Sequence, residues 1–242
     1  MCSSDLTMLH IAAGRMEPVG ALSNVDRLLP QYDRADPTRV PAFVGAYAVM
    51  VNTNLVTPQQ EPKTWLDLLD PKWNGKTLID DPRAAGGGGA FFQAVSILHT
   101  DDFHMRLARN APTFTRDPGA AERRVARGEY AIWLPAMIAS MQGLQGLPVR
   151  FLAPEAAVPS IRMDLTRLSR SPHPNAARLF IDHFLSEEFQ TELARLGLLP
   201  TTHGAADALP QELWAFARAK LLGGLTPDTQ EQRLKRAAEI YK

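Results

Sequence analysis

Cysteine is almost missing from this chain. Of 242 residues only Cys2 carries a thiol, so no intramolecular disulfide can form and a disulfide-built scaffold is excluded. Net charge is missing as well. Lys+Arg and Asp+Glu both total 26, and the basic residues are scattered. Such a chain lacks the electrostatic footprint of non-specific nucleic-acid or polybasic membrane binding, and no nucleic-acid partner is expected. No apolar run reaches the roughly 18 residues of a membrane span, and no signal peptide stands at the start. Internal repeats and low-complexity tracts are absent too. What remains is ordinary globular composition, 45% hydrophobic and 21% charged, enough for one large core or two small ones.

The first six residues are odd. Met1-Cys2-Ser3-Ser4-Asp5-Leu6 is what the end of a common sequencing adapter would encode. Residues 1–6 are therefore expected to be adapter-derived, with the natural chain continuing upstream. A lone Cys near the start would suggest a lipid anchor, but only Met1 precedes it. On this reading Cys2 has no biological meaning, and the lack of a signal peptide says nothing about location.

Hydrophobic periodicity and breakers predict alternating elements. Leu9 to Pro30 is weakly helical, with Leu22, Val25, Leu28 and Leu29 at helical spacing. Phe43 to Val51, FVGAYAVMV, is a strand buried on both faces. Pro62–Leu69 reads as a short helix, Lys76–Asp80 as a strand, Gly86–Gly89 as a loop, and Ala90–Leu98 and Asp102–Asn110 as helices. Asp117 with Pro118 starts a helix reaching Arg127. Tyr130–Leu134 is a strand, Pro135–Leu144 a helix, Val149–Leu152 a strand, and Ser160–Leu168 a strand re-entering the first part of the chain. Pro174 opens a helix with Ala177, Phe180, Ile181 and Phe184 on one face, and Ser186 caps the next. Helices are expected over Pro210–Leu222 and Pro227–Tyr241. Alternation of this kind is an α/β pattern.

Several segments are specific beyond pattern. Pro62-Lys63-Thr64-Trp65-Leu66-Asp67-Leu68-Leu69-Asp70-Pro71-Lys72-Trp73-Asn74-Gly75-Lys76 strongly resembles the P-x-T/S-W-x-D-L-L-D-P-K-W-x-G-K stretch of family 1 extracellular solute-binding proteins. These are the ferric-ion, polyamine, thiamine and phosphonate class of ABC-importer receptors. Four further segments resemble the same family in order: Val51-Asn52-Thr53-Asn54-Leu55-Val56, Asp81-Pro82-Arg83 with its glycines, Arg127-Gly128-Glu129-Tyr130-Ala131, and Pro172-His173-Pro174-Asn175-Ala176-Ala177 through Gln190. The resemblance spans about residues 9–203.

It implies a type II periplasmic-binding-protein fold, two α/β lobes joined by crossing strands with the solute in the cleft between them. The first lobe would hold 7–52 and 160–205, and the second 53–159 and 206–242. The family has a further strand-helix-strand section before position 7, so the first lobe is expected to be incomplete and this chain unstable or poorly soluble. The resemblance further implies a monomeric receptor, periplasmic or extracellular and membrane-associated. It would deliver its solute to an ABC permease and its ATPase, with no cofactor and no catalysis.

The glycine run Gly86, Gly87, Gly88 and Gly89 before a helix is the most chemical feature. Glycines let backbone approach a ligand, and the N–H groups at a helix start attract anions. Arg83 adds a forked donor for carboxylate or phosphate. The run reads equally as a flexible surface loop, and without a following Lys-Ser/Thr it is not a nucleotide P-loop. Trp133, Pro135 and Met137 fall at the C-terminal end of a strand, where open α/β sheets bind ligands; Trp133 reads equally as packing. Tyr47 is a ligand contact or a core tyrosine. Arg15, in the loop Ala12-Ala13-Gly14-Arg15, faces an anion or solvent.

Ferric-ion receptors of the family commonly place two adjacent tyrosines where this chain has Ile138 and Ala139. It has no Tyr-Tyr pair, and ferric ion prefers phenolate and carboxylate oxygens. No metal site is therefore expected. His10 lacks partner ligands, and His99 and His104 are poorly spaced for one helix face. An organic anion such as a phosphonate or phosphate ester fits better, with a ferric-ion or ferric-chelate receptor as the alternative. An enzyme on the same bilobal fold is the alternative of another class. Against it, Ser96, Ser140 and Ser160 lack a G-x-S-x-G elbow, and Glu187-Glu188 and Asp101-Asp102 sit at helix starts where capping suffices. The effector-sensing part of a transcription regulator is a third reading, with no helix-turn-helix visible.

Overall fold

Apolar, β-branched sequence makes the longest strand, and turn chemistry sets what surrounds it. The computed structural model describes residues 13–32, 36–223 and 227–242, with 156, 227 and 228 described by backbone alone. In chain order its strands and α-helices are β1 (Met16–Glu17), β2 (Arg39–Asn52), β3 (Thr77–Asp80), α1 (Gly87–Arg109), β4 (Thr113–Thr115), α2 (Pro118–Ala126), β5 (Ile132–Met137), β6 (Val149–Leu152), β7 (Ala157–Leu168), α3 (Pro174–Phe184), α4 (Glu187–Arg195), β8 (Leu199–Pro200), α5 (Trp214–Arg218), β9 (Lys220–Leu222) and α6 (Pro227–Ile240). Among the described residues no helix is long and apolar enough to cross a membrane.

The chain forms two compact units, 1–45 with 162–214 and 46–161 with 215–242. β2 and β7 each run from one unit into the other.

In the first unit β1 pairs antiparallel with β7, and β8 with β2. Val19, Leu22, Val40, Ala42, Leu165, Ile181 and Leu185 form its core. Gln190 ties α4 to that core. Its amide nitrogen donates to the carbonyls of Ala42 (2.6 Å) and Phe184 (2.8 Å), and its oxygen accepts the Thr201 N–H at 2.8 Å.

In the second unit β3 lies parallel to both β4 and β5, β5 runs antiparallel to β2, and β2 antiparallel to β6. Parallel strands need crossover connections; α1 joins β3 to β4, and α2 joins β4 to β5. Phe91, Val95, Phe103 and Leu107 of α1 pack on Val49, Val51, Ile79, Ile132 and Leu134, with Trp65 and Trp73 closing the core.

The tryptophan-rich segment has a structural job. Thr64 and Asp67 make a reciprocal capping box at the 3-10 turn Trp65–Leu69. Trp65 Nε1 then donates to the Ala157 carbonyl at 3.1 Å, and Trp73 Nε1 to the Asp67 carbonyl at 2.9 Å.

Several expected elements differ. The part of the weak helix near the N-terminus that is described holds β1 and a 3-10 turn, Val25–Arg27, in place of a helix; Leu9 to Ala12, His10 and the adapter-like hexapeptide lie outside the described residues. The strand expected over Tyr130–Leu134 is displaced to Ile132–Met137, because Ala136 and Met137 pair with Ala48 and Tyr47 of β2. The helix expected from Pro135 is thereby reduced to a 3-10 stretch, Ile138–Leu144. The two helices expected after the glycines are one element, α1, interrupted at Thr100 (φ 58°). On α3 only Ile181 is fully buried; Phe180 is 56% exposed and packs in a tilted arrangement against Phe184 with ring centroids 5.0 Å apart. The helix expected over Pro210–Leu222 is broken up, since Lys220–Leu222 pairs in parallel with Ala157–Pro159.

Candidate functional site

β3 ends at Asp80, the turn Asp81-Pro82-Arg83 follows, and α1 begins at Gly87. Three of the four glycines are therefore the first turn of a helix, and Gly86 is its N-cap. Gly86 has φ 127° and ψ −152°, a conformation only glycine adopts cheaply. Gly88 is demanded by packing: a Cβ there would collide with the Asp80 carbonyl oxygen and, at 2.5 Å, with that of Asp81. A Cβ on Gly87 would stand 2.9 Å from Asp80 Oδ2, 3.2 Å from Tyr47 Cε1 and 3.5 Å from Pro135 Cγ. Gly87, Asp80, Tyr47 and Pro135 thus meet at one point, and Met137 is the strand partner of Tyr47.

The first-turn N–H groups are not equivalent. Gly88 N–H donates to Asp80 Oδ2 at 2.7 Å, whereas Gly87 and Gly89 N–H have no acceptor among the described residues. Burial raises the pKa of Asp80, opposed in part by the Gly88 hydrogen bond and the charge of Arg116. Burial, aided by Asp80, pushes the Tyr47 phenol up to about 12, so it is a neutral donor. The Tyr47 side chain is only 6% exposed, and its hydroxyl makes no hydrogen bond among the described residues.

Other expected site residues are placed differently. The Arg83 fork already faces Asp81, with Nε to Oδ1 at 2.8 Å and Nη2 to Oδ2 at 2.9 Å, and Nη1 donates to the Tyr241 carbonyl at 3.1 Å. Burial works against the Asp81 charge, but the bonds from Arg83 outweigh it and lower its pKa. Trp133 is wholly buried in β5, and its indole N–H has no partner among the described residues. Arg15 belongs to the other unit, is exposed, and its carbonyl accepts the Ser169 N–H. Ile138 is buried. Among the described residues no group of three or more His, Cys, Asp or Glu is placed to hold a metal ion.

Asp80 is the residue sequence reasoning missed. The signal was an acidic side chain at the last position of a strand running into a glycine-started helix.

Residues 2–215 match the family model of the bacterial extracellular solute-binding proteins. The chain belongs to that family. This solute-binding protein is 26% identical over 193 residues to an uncharacterised Haemophilus influenzae protein, a match covering 75% of this chain and 55% of the other. It therefore spans about half the length of that curated relative. The fold is that of type II periplasmic binding proteins. It resembles AfuA of Actinobacillus pleuropneumoniae, solved with fructose 6-phosphate bound (TM-score 0.74, 19% identity, 96% of this chain and 78% of that one). It also resembles iron-bound HitA of Pseudomonas aeruginosa (TM-score 0.77, 19% identity, 98% and 80%), and the ferric binding protein of Campylobacter jejuni (TM-score 0.77, 16% identity, 99% and 80%).

Proposed function

We propose that this solute-binding protein is the receptor of an ABC importer for a small organic anion, a phosphonate or phosphate ester. It would act at the periplasmic or outer face and hand the solute to a membrane permease and its ATPase, without catalysing a reaction. The observation that carries this reading is the start of α1. Two free N–H groups, of Gly87 and Gly89, lie on the positive end of a long helix, with the Tyr47 ring edge beside Gly87. Pro135 and Met137 supply apolar walls, and Arg83 braces the loop through Asp81.

A ligand that binds only the folded state raises its melting temperature by an amount set by its excess over Kd. The test is a thermal-shift panel of phosphonates, phosphate esters, polyamines, thiamine, ferric ion and ferric chelates. A shift with an organophosphate or phosphonate, reduced in Tyr47→Phe, is the expected result. Shifts confined to ferric ion, ferric chelates or the cationic ligands overturn the reading.

A further inference from the structure

From Gly86 to Gly89 the chain has no side chains with which to hold itself, and glycine loses more backbone freedom on ordering than any other residue. Order there must be imposed from outside the run. One hold is local, the Gly88 N–H bond to Asp80 Oδ2 at 2.7 Å. The other arrives from the far end of the chain. All three nitrogens of the Arg83 fork are engaged: Nε and Nη2 on the two Asp81 oxygens, at 2.8 and 2.9 Å, and Nη1 on the Tyr241 carbonyl at 3.1 Å. The guanidinium also lies over the Phe114 ring, 4.9 Å from its centre, and the Tyr241 ring meets the same ring edge-on at 5.4 Å. Tyr241 directly follows α6. Carbonyls at a helix C-terminus lack partners within the helix and favour a cation. The Tyr241 hydroxyl is fixed in turn to His104 of α1 at 2.7 Å. Within the second unit the turn, α6 and α1 therefore close a circuit, from Arg83 to Tyr241 to His104 and back along α1 to the glycines.

We infer that the C-terminal end of α6 positions the turn from Asp81 to Gly86, and with it the start of α1, through Arg83, which is a positioning residue and not a contact for the solute. The planar fork is what suits arginine to the task. It meets a carboxylate with two parallel bonds and keeps a third nitrogen for a carbonyl, which an ammonium on a flexible stem does not do. The Arg83 side chain is 35% exposed, so its ion pair adds little to global stability. Its effect is local, on how often the turn opens. The clamp itself stands apart from the function proposed above. Its consequence for affinity rests on that reading, because a helix start that is ordered only part of the time binds with its affinity reduced by that fraction.

Amide hydrogen exchange reads the clamp without any ligand. The reporters are Gly88, whose N–H reaches Asp80, and Ala90, whose N–H reaches the Gly86 carbonyl at 3.0 Å. Arg83→Gln and Arg83→Lys should each speed both amides by about tenfold, while the amides of β5 keep their rates and the urea midpoint moves little. Ending the chain at Ile240 should speed the same two amides, and adding Arg83→Gln to it should speed them no further. Wild-type rates in Arg83→Gln, rescue of the rates by Arg83→Lys, or additive effects with the truncation overturn the clamp. Affinity is read by calorimetry with inorganic phosphate and 2-aminoethylphosphonate. Equal weakening in both Arg83 variants is the result expected of a positioning residue. Binding unchanged in both, or kept by Arg83→Lys and lost by Arg83→Gln as a charge contact would have it, overturns that role. If neither probe binds and the thermal-shift panel responds to no organophosphate, the anion receptor falls, and the exchange rates alone decide the clamp.

Discussion

The Tyr241 hydroxyl donates to His104 Nδ1 across 2.7 Å. The direction follows from the other ring nitrogen. Nε2 faces the Phe92 carbonyl oxygen at 3.0 Å, which can only accept, so Nε2 carries the proton and Nδ1 is the acceptor. Both residues are buried. The pair fastens the end of α6 to α1, and the Tyr241 carbonyl in turn holds Arg83. The C-terminus is thereby connected to the loop that precedes the glycines.

Tyr241→Phe keeps the ring contacts with Phe92 and Phe114 but leaves Nδ1 buried and unpaired. A loss of about 1–3 kcal/mol is expected, read as a lowered urea midpoint with an unchanged slope.

Burial holds the His104 pKa at about 3, against an ordinary value of about 6.5. A depressed pKa means that the contribution is intact above pH 6.5 and lost as pH falls toward 3, because the unfolded chain takes a proton that the folded one refuses. Stability should therefore drop by about 1.4 kcal/mol per pH unit through this window. Urea unfolding compared at pH 7 and pH 5, above the range of most carboxylates, checks it. His104→Phe should lack most of that difference.

Gly88→Ala should be the most damaging change in the glycine run, since its Cβ meets backbone oxygens of Asp80 and Asp81 that cannot move independently. A cost of about 1–3 kcal/mol is expected from such overpacking. Gly143→Ala, where nothing lies within 4 Å, serves as the control and should leave the melting temperature nearly unchanged.

Asn52 is 1% exposed. Its amide nitrogen donates to the Val125 carbonyl at 2.6 Å, and its oxygen accepts from Asn54 N–H at 2.9 Å and Leu55 N–H at 3.2 Å. Asn52→Asp keeps the acceptor but sets a carboxylate oxygen against a carbonyl. It should cost more at pH 7 than Asn52→Ala, with part of the loss recovered near pH 4, as chemical denaturation would show.

Local chemistry was readable wherever a side chain acts on its own neighbourhood. Asp117 accepts the Ala120 N–H, and Ser186 the Phe189 N–H, as capping residues at those positions must. The apolar run around Tyr47 became the longest strand, and Asn52 closes the turn after it. Family membership was legible for a related reason. The motif that carries it, Thr64 to Trp73, is shaped within the segment by a capping box and the Trp73 indole bond to Asp67, and only the Trp65 indole reaches a distant partner, Ala157.

What depended on distant partners was not readable. Pro135 looked like a helix start because its missing N–H suits one, yet pairing of Ala136 and Met137 with β2 extends the strand through it. Lys220–Leu222 looked helical until β7 offered an edge. Arg83 was read as a free fork, and only the return of the chain at Tyr241, together with Asp81, shows what holds it. By itself the sequence determined the alternating α/β pattern, the helix caps and a helix following the glycine run, because these follow from backbone geometry over a few residues. Tertiary structure alone decided which glycines are required by packing, that Tyr47 and Asp80 meet at Gly87, and that His104 is neutral. Those outcomes depend on desolvation and contact between residues far apart in the chain, which no local spacing encodes.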